Sequence, residues 1–172
     1  MKFWTPKLHE HYAKCKNDLA NQHPDLKFPL ETSIFPTVTY NLGPQTVSYP
    51  HIDFNNLAFG WCAITALGDF DYEKGGHLIL WDLHLVIELP PGSTILIPSA
   101  ILSHSNVAIR EHEHRYSVVQ YAAGALFRWV DNGFRTLDSL SAKERAERKA
   151  MNATQWVRAL ACFRIWPVSQ TK

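Results

Sequence analysis

The sequence has little of what marks a secreted, fibrous or membrane-spanning chain. Its three cysteines, Cys15, Cys62 and Cys162, are odd in number, far apart and never in a C-x-x-C pair. That excludes a disulfide framework and a cysteine-based zinc site. No run approaches the ~20 consecutive apolar residues of a membrane helix, and the opening Met1-Lys-Phe-Trp-Thr-Pro-Lys7 meets charged and polar residues too soon for a signal peptide. The expectation is a reducing, intracellular location, nuclear if the substrate is DNA. No internal repeat, linker or low-complexity stretch is visible, and 17 Lys and Arg against 16 Asp and Glu leave no large net charge. A polyanion mimic and a basic tail are both excluded.

What is present is core-forming material. With 172 residues, 46% of them hydrophobic and 12% aromatic, the chain fits one domain over residues 1–172 with a substantial interior. The near-zero charge hides an asymmetry: residues 1–38 sum to +1, residues 39–127 to −5 and residues 128–172 to +5. A basic segment can neutralise phosphates and release counterions. Charge alone favours the plainer reading of a solvated helix face.

Pro6 followed by Leu8, Tyr12 and Leu19 predicts a helix over residues 5–20, ending before the breaker Asn21-Gln-His-Pro24. From Phe28 to about Trp129, short runs rich in Val, Ile, Thr, Leu and aromatics alternate with turn residues. Strands are expected over 33–41, 47–53, 59–67, 77–82, 85–89, 93–98, 102–109 and 115–122. That spacing argues for a mainly β fold, a sandwich or double-sheet jelly roll. Ser141-Ala-Lys-Glu144 is a capping box, and Ala146, Ala150, Ala153, Trp156, Val157, Leu160 and Ala161 follow at roughly helical spacing. One helix over 141–163 is expected, its apolar stripe on the sheet and Arg145, Arg148, Lys149 and Arg158 in solvent.

His51-Ile-Asp53 closes a predicted strand, where residues i and i+2 share a face and can reach one point. Two ligands of a 2-His-1-carboxylate facial triad have this arrangement. A second H-x-D, His23-Pro-Asp25, lies in the breaker with no strand to aim it. The triad needs another His from a distant strand, and His104 lies 53 residues on. Arg115-Tyr-Ser117 is again an i, i+2 pair; an Arg fork with a hydroxyl beside it suits the distal carboxylate of 2-oxoglutarate. Singly, each His reads more readily as a core histidine and the Arg as a sheet-edge residue. The ordered set of H-x-D, Gly75-Gly76, Pro91-Gly92, His104 and R-x-S is what points to iron and 2-oxoglutarate.

With these motifs residues 30–135 resemble the iron(II)/2-oxoglutarate dioxygenases of the double-stranded β-helix fold, and among them the TET/JBP branch, especially its compact fungal members, which oxidise methyl groups on DNA bases. The resemblance implies Fe(II) held by His51, Asp53 and His104, 2-oxoglutarate contacted by His77, Arg115 and Ser117, and O2 as oxidant. His51-Ile-Asp-Phe-Asn-Asn56 matches the branch pattern H-x-D-x-x-N, which implies Asn56 as base reader, and Tyr121 falls where the branch places an aromatic stacked on the flipped base. Methylated DNA is the implied partner, with 5-methylcytosine first and N6-methyladenine or thymine open. A bland reading stands beside each: Asn56 as a turn residue, Tyr121 as a core aromatic, His77 as a strand-edge His. The alternative is a prolyl-type protein hydroxylase or a small-molecule hydroxylase on the same scaffold.

Overall fold

The structure is a computed structural model describing residues 1–163. Helix α1 (Pro6–Gln22) starts with proline at its first turn, where the missing N–H costs nothing. Leu8, Tyr12, Cys15 and Leu19, spaced by four, three and four, form its buried stripe.

Seven strands follow: β1 (Thr37–Asn41), β2 (Cys62–Asp69), β3 (Leu78–Leu80), β4 (Leu85–Ile87), β5 (Thr94–Ile97), β6 (His104–Asn106) and β7 (His114–Tyr121). They make two antiparallel sheets, one ordered β1-β7-β2-β5 and one ordered β4-β3-β6. This is the mainly β jelly-roll class with flanking helices that the alternation predicts.

The period-2 pattern of β2 sorts the core. Cys62, Ile64 and Ala66 face Leu78, Leu80, Leu89 and Ile97 in the layer between the sheets. Ala63 points the other way, into a second cluster with Leu8, Tyr12, Cys15, Leu19, Phe35, Leu57 and Phe127. Phe127 lies on α2 (Gly124–Asp131), so α1 and α2 cover the outer face of the four-stranded sheet. The Tyr12 hydroxyl donates to the Trp61 carbonyl at 3.0 Å, satisfying the one polar atom this aromatic buries.

Several expectations are corrected. Residues 47–53 form no strand: Pro50 has no N–H to donate, and the segment makes a single antiparallel bridge, His51 to His104. The single helix over 141–163 is two, α3 (Ala142–Ala153) and α4 (Gln155–Ala161), parted at Thr154. There the β-branched side chain turns its hydroxyl back onto the Met151 carbonyl at 3.0 Å and competes with the helical ladder. The capping box is formed: Ser141 N–H donates to Glu144 Oε2 and Glu144 N–H to Ser141 Oγ. The apolar stripe does not lie on the sheet, for α3 buries no residue and Trp156, Val157 and Leu160 are exposed. Arg145 and Lys149 are in solvent and Arg148 is half-buried; the side chain of Arg158 lies outside the described residues.

Candidate metal centre

The connection from β1 to β2 builds the site. After Asn41 the chain runs as a strap along the open side of the sandwich. Arg115 N–H donates to the Pro44 carbonyl at 2.7 Å, and Thr46 N–H to the Arg115 carbonyl at 3.1 Å, which moors the strap to β7. Further on, one side chain replaces a ladder: Asn106 Oδ1 accepts from the Ser48 N–H at 2.8 Å and the Ser48 hydroxyl at 2.9 Å, while its Nδ2 donates to the Thr46 carbonyl at 3.2 Å. The His51 bridge then fixes the strap to β6, and Asp53 N–H donates to the Ser99 carbonyl at 2.9 Å.

This brings His51, Asp53 and His104 together, with one ligand atom from each lying within 4.8 Å of the others. His51 Nε2 is 3.7 Å from Asp53 Oδ1, and His104 Nε2 is 3.9 Å from Asp53 Oδ2. Each imidazole is oriented from behind: His51 Nδ1 lies 2.7 Å from the Tyr49 carbonyl and His104 Nδ1 lies 2.9 Å from that of Leu102. A carbonyl only accepts, so both Nδ1 atoms carry a proton, and each Nε2 is the ring nitrogen turned to the carboxylate. Burial pushes the pKa of His104 down, which keeps that ring neutral. Two imidazole nitrogens and a carboxylate are the donor set of a non-haem Fe(II) facial triad, a set that would leave coordination positions for other ligands.

The cluster opens into a cavity of about 680 Å³ between the sheets. Arg115, Ser117, Val119 and Tyr121, alternate residues of β7, all line it, joined by Thr39 and Asn41 of β1 and by Leu78, His104 and Asn106 of the other sheet. Arg115 is 3% exposed, and its Nη1 donates only to Thr46, to the carbonyl at 3.3 Å and the hydroxyl at 3.2 Å. Among the described residues its Nε has no partner and no ion pair includes it. Burial lowers its pKa, though not enough to discharge a guanidinium. A buried cation without a counter-charge is costly unless an anion joins it, and the cavity is where that anion fits.

Of the residues singled out from sequence, His51, Asp53, Asn56, His104, Arg115, Ser117 and Tyr121 all line this cavity. His77 is not among them: it precedes β3, its carbonyl accepts from the Val107 N–H, and the next residue, Leu78, takes the wall position instead. Sequence reasoning missed Asn41, whose Nδ2 donates to Ser117 Oγ at 2.8 Å, and also Thr46, Ser99 and Asn106. Their polar side chains beside predicted strands were the available signal, but their partners lie 43 to 76 residues away.

A second, mainly apolar cavity of about 980 Å³ lies beside the first and shares Phe54 and Asn56 with it. Phe127, Trp156 and Leu160 contribute to its walls, with Arg128 and Arg148 from the basic end of the chain.

Fold and site together define a jelly-roll sandwich with a His/Asp/His cluster able to hold a metal and a buried arginine in one cavity. No protein-family model matches the sequence, and no curated protein matches it. Among solved structures the chain is similar to NgTET1 in complex with 5mC DNA, at 20% identity and a TM-score of 0.49, over 60% of this chain and 41% of that one. It is also similar to the viral collagen prolyl hydroxylase vCPH from Paramecium Bursaria Chlorella virus-1 in its 2OG complex, at 14% identity and a TM-score of 0.36, over 64% and 70% of the two chains. The match thus spans less than half the length of the NgTET1 chain. No described helix is long and apolar enough to cross a membrane.

Proposed function

We propose that the protein is an Fe(II)- and 2-oxoglutarate-dependent dioxygenase, and that its substrates are methylated bases in DNA. The observation that carries the first part is the pairing of the His51/Asp53/His104 cluster with an unpartnered Arg115 Nε in one cavity. A keto acid with a second carboxylate answers both, one end at the metal and the other at the guanidinium. Fe(II) bound there supplies the activation of O2 coupled to decarboxylation of the keto acid.

The protein's own residues do the rest. His51 and His104 present their Nε2 atoms because the Tyr49 and Leu102 carbonyls hold the opposite nitrogens. Arg115 offers the Nε–H that no other described residue uses, and Ser117, oriented by Asn41, offers a hydroxyl on the same face. Three features support a DNA base as substrate. Tyr121 gives the cavity wall an aromatic face and Asn56 gives it an amide, both suited to a flipped base. Arg128 and Arg148 sit along the adjoining cavity, where a phosphate backbone would find cations.

The test is nucleoside mass spectrometry after incubation with Fe(II), 2-oxoglutarate and duplexes carrying 5-methylcytosine, N6-methyladenine or ordinary thymine. Oxidised or demethylated bases are expected, with succinate released in step. Succinate without any change in a base would overturn the DNA substrate and leave the prolyl-type or small-molecule hydroxylase standing.

A further inference from the structure

We infer that Asn56 is a positioning residue for the metal-ligating carboxylate, acting through Asp53 Oδ2. The inference rests on the metal-centre reading above and concerns a different task from contact with substrate. Residues 53–56 form a turn closed by the Asn56 N–H to Asp53 carbonyl bond at 2.9 Å. Within it Asn56 Nδ2 donates to Asp53 Oδ2 at 3.4 Å and to Ser99 Oγ at 3.2 Å. An ionised carboxylate can only accept, so the amide nitrogen, not its oxygen, must face Asp53.

The support is held from behind as well. Ser99 is 1% exposed, and its carbonyl takes the Asp53 N–H, so one buried residue anchors both the carboxylate's backbone and the amide that steers it. Asn56 also bridges Ala123, two residues beyond β7 and just before α2, which ties the turn to the chain that continues from the strand carrying Arg115. Both N–H bonds of the amide are thereby spent. Oδ2 is held by a neutral donor, and Oδ1, on the His51 side, is left for the metal. A hydrogen-bonded ligand loses less rotational freedom on metal binding than a free one, and loss of such a partner typically costs about 10- to 100-fold in metal affinity.

The experiment titrates metal-free protein with Co(II) alone, followed by its visible absorption, for the unaltered chain, Asn56→Ala, Asn56→Leu and Ser99→Ala. Both Asn56 variants are expected to bind Co(II) about 10- to 100-fold more weakly and to show an altered ligand-field spectrum, with Ser99→Ala between them and the unaltered protein. Asn56→Leu keeps the volume and discriminates should Asn56→Ala fail to fold. Unchanged Co(II) affinity and spectrum in a folded Asn56 variant would overturn the inference and leave Asn56 to the substrate. Failure of the unaltered protein to bind Co(II) would overturn the metal centre and this inference with it. Tight Co(II) binding with no succinate from the Fe(II) protein would overturn only the proposed activity, and the Asn56 comparison would still decide.

Discussion

His51 and His104, 53 positions apart in the chain, donate to each other's carbonyls, His51 N–H at 3.0 Å and His104 N–H at 2.9 Å, and their rings sit 4.3 Å apart. The spacing of two candidate ligands is therefore set by main chain, which a side-chain substitution leaves in place. His51→Ala and Asp53→Ala should both abolish metal binding and turnover and leave the circular dichroism spectrum unchanged. Full Fe(II)-dependent turnover in either would remove the triad from consideration.

If Arg115 binds the proposed anion, its buried guanidinium should lower stability until that anion binds. Arg115→Met should raise the melting temperature of the metal-free protein, by the equivalent of ~1–2 kcal/mol, since a buried charge without a partner is replaced by an apolar chain of similar length. The unaltered protein should gain about 2.7 kcal/mol from an oxoglutarate concentration one hundred times its dissociation constant, and the variant nothing. Thermal shift with and without 2-oxoglutarate reads both; a variant still stabilised by the keto acid would show that the anion binds elsewhere.

Acid should loosen the entry to β7. Arg110 hydrogen-bonds the Glu113 carboxylate and, with the Asp71 and Arg110 N–H groups, holds its pKa down at about 2 from an ordinary 4.5. A carboxylate with a depressed folded-state pKa contributes stability that is fully present above 4.5 and is lost as pH falls toward 2. Glu113→Gln should therefore melt lower than the unaltered protein at neutral pH, with the gap closing across that window. A gap independent of pH would assign the loss to packing.

Gly68 faces Arg115 across the β2–β7 ladder at a φ of +122°, and a Cβ there would lie 2.1 Å from the His114 carbonyl oxygen. Neither backbone can yield cheaply, so Gly68→Ala should cost more than ~1 kcal/mol. It should also weaken 2-oxoglutarate binding, because the strand that must shift is the one that aims Arg115. Unaltered keto-acid affinity in a destabilised variant would show that β7 yields without moving the guanidinium.

If DNA is the substrate, cations of the C-terminal segment should appear in its salt dependence. Changing Arg128 and Arg148 to Gln should reduce the slope of log affinity against log salt by up to ~0.9 for each phosphate no longer neutralised. Changing the solvent-facing Arg145 and Lys149 instead should have a smaller effect. An unchanged slope in both pairs would leave α3 a solvated face.

Most of the site could be read from the chain because strands carry their chemistry at i, i+2: His51 with Asp53 and Arg115 with Ser117 needed only a face and an order. The buried stripe of α1 and the Ser141 capping box are equally local signals. What stayed hidden depends on partners remote in sequence. The strap over 47–53 looks like a strand by composition, yet Asn106, 58 positions beyond Ser48, supplies the acceptor that a neighbouring strand would have offered. His77 precedes β3, and its neighbour Leu78 takes the place on the cavity wall. At Thr154 a hydroxyl competing for a helix carbonyl ended what apolar spacing continued.

The strap gives the order of events at this site a physical basis. It carries His51 and Asp53, its Thr46 is the only partner of the Arg115 guanidinium among the described residues, and it is held by isolated bridges, scattered backbone bonds and side-chain amides rather than by a continuous ladder. A segment held this way can open locally without global unfolding. On the proposed function, a metal on His51 and Asp53 would hold the strap at one end and an anion on Arg115 would sit beside its Thr46 at the other, so the first to bind would bear the cost of stilling the strap and the second would be spared it. On that reading, metal and keto acid would be cooperative ligands through the strap, and reciprocity would demand that each raise the other's affinity by the same factor.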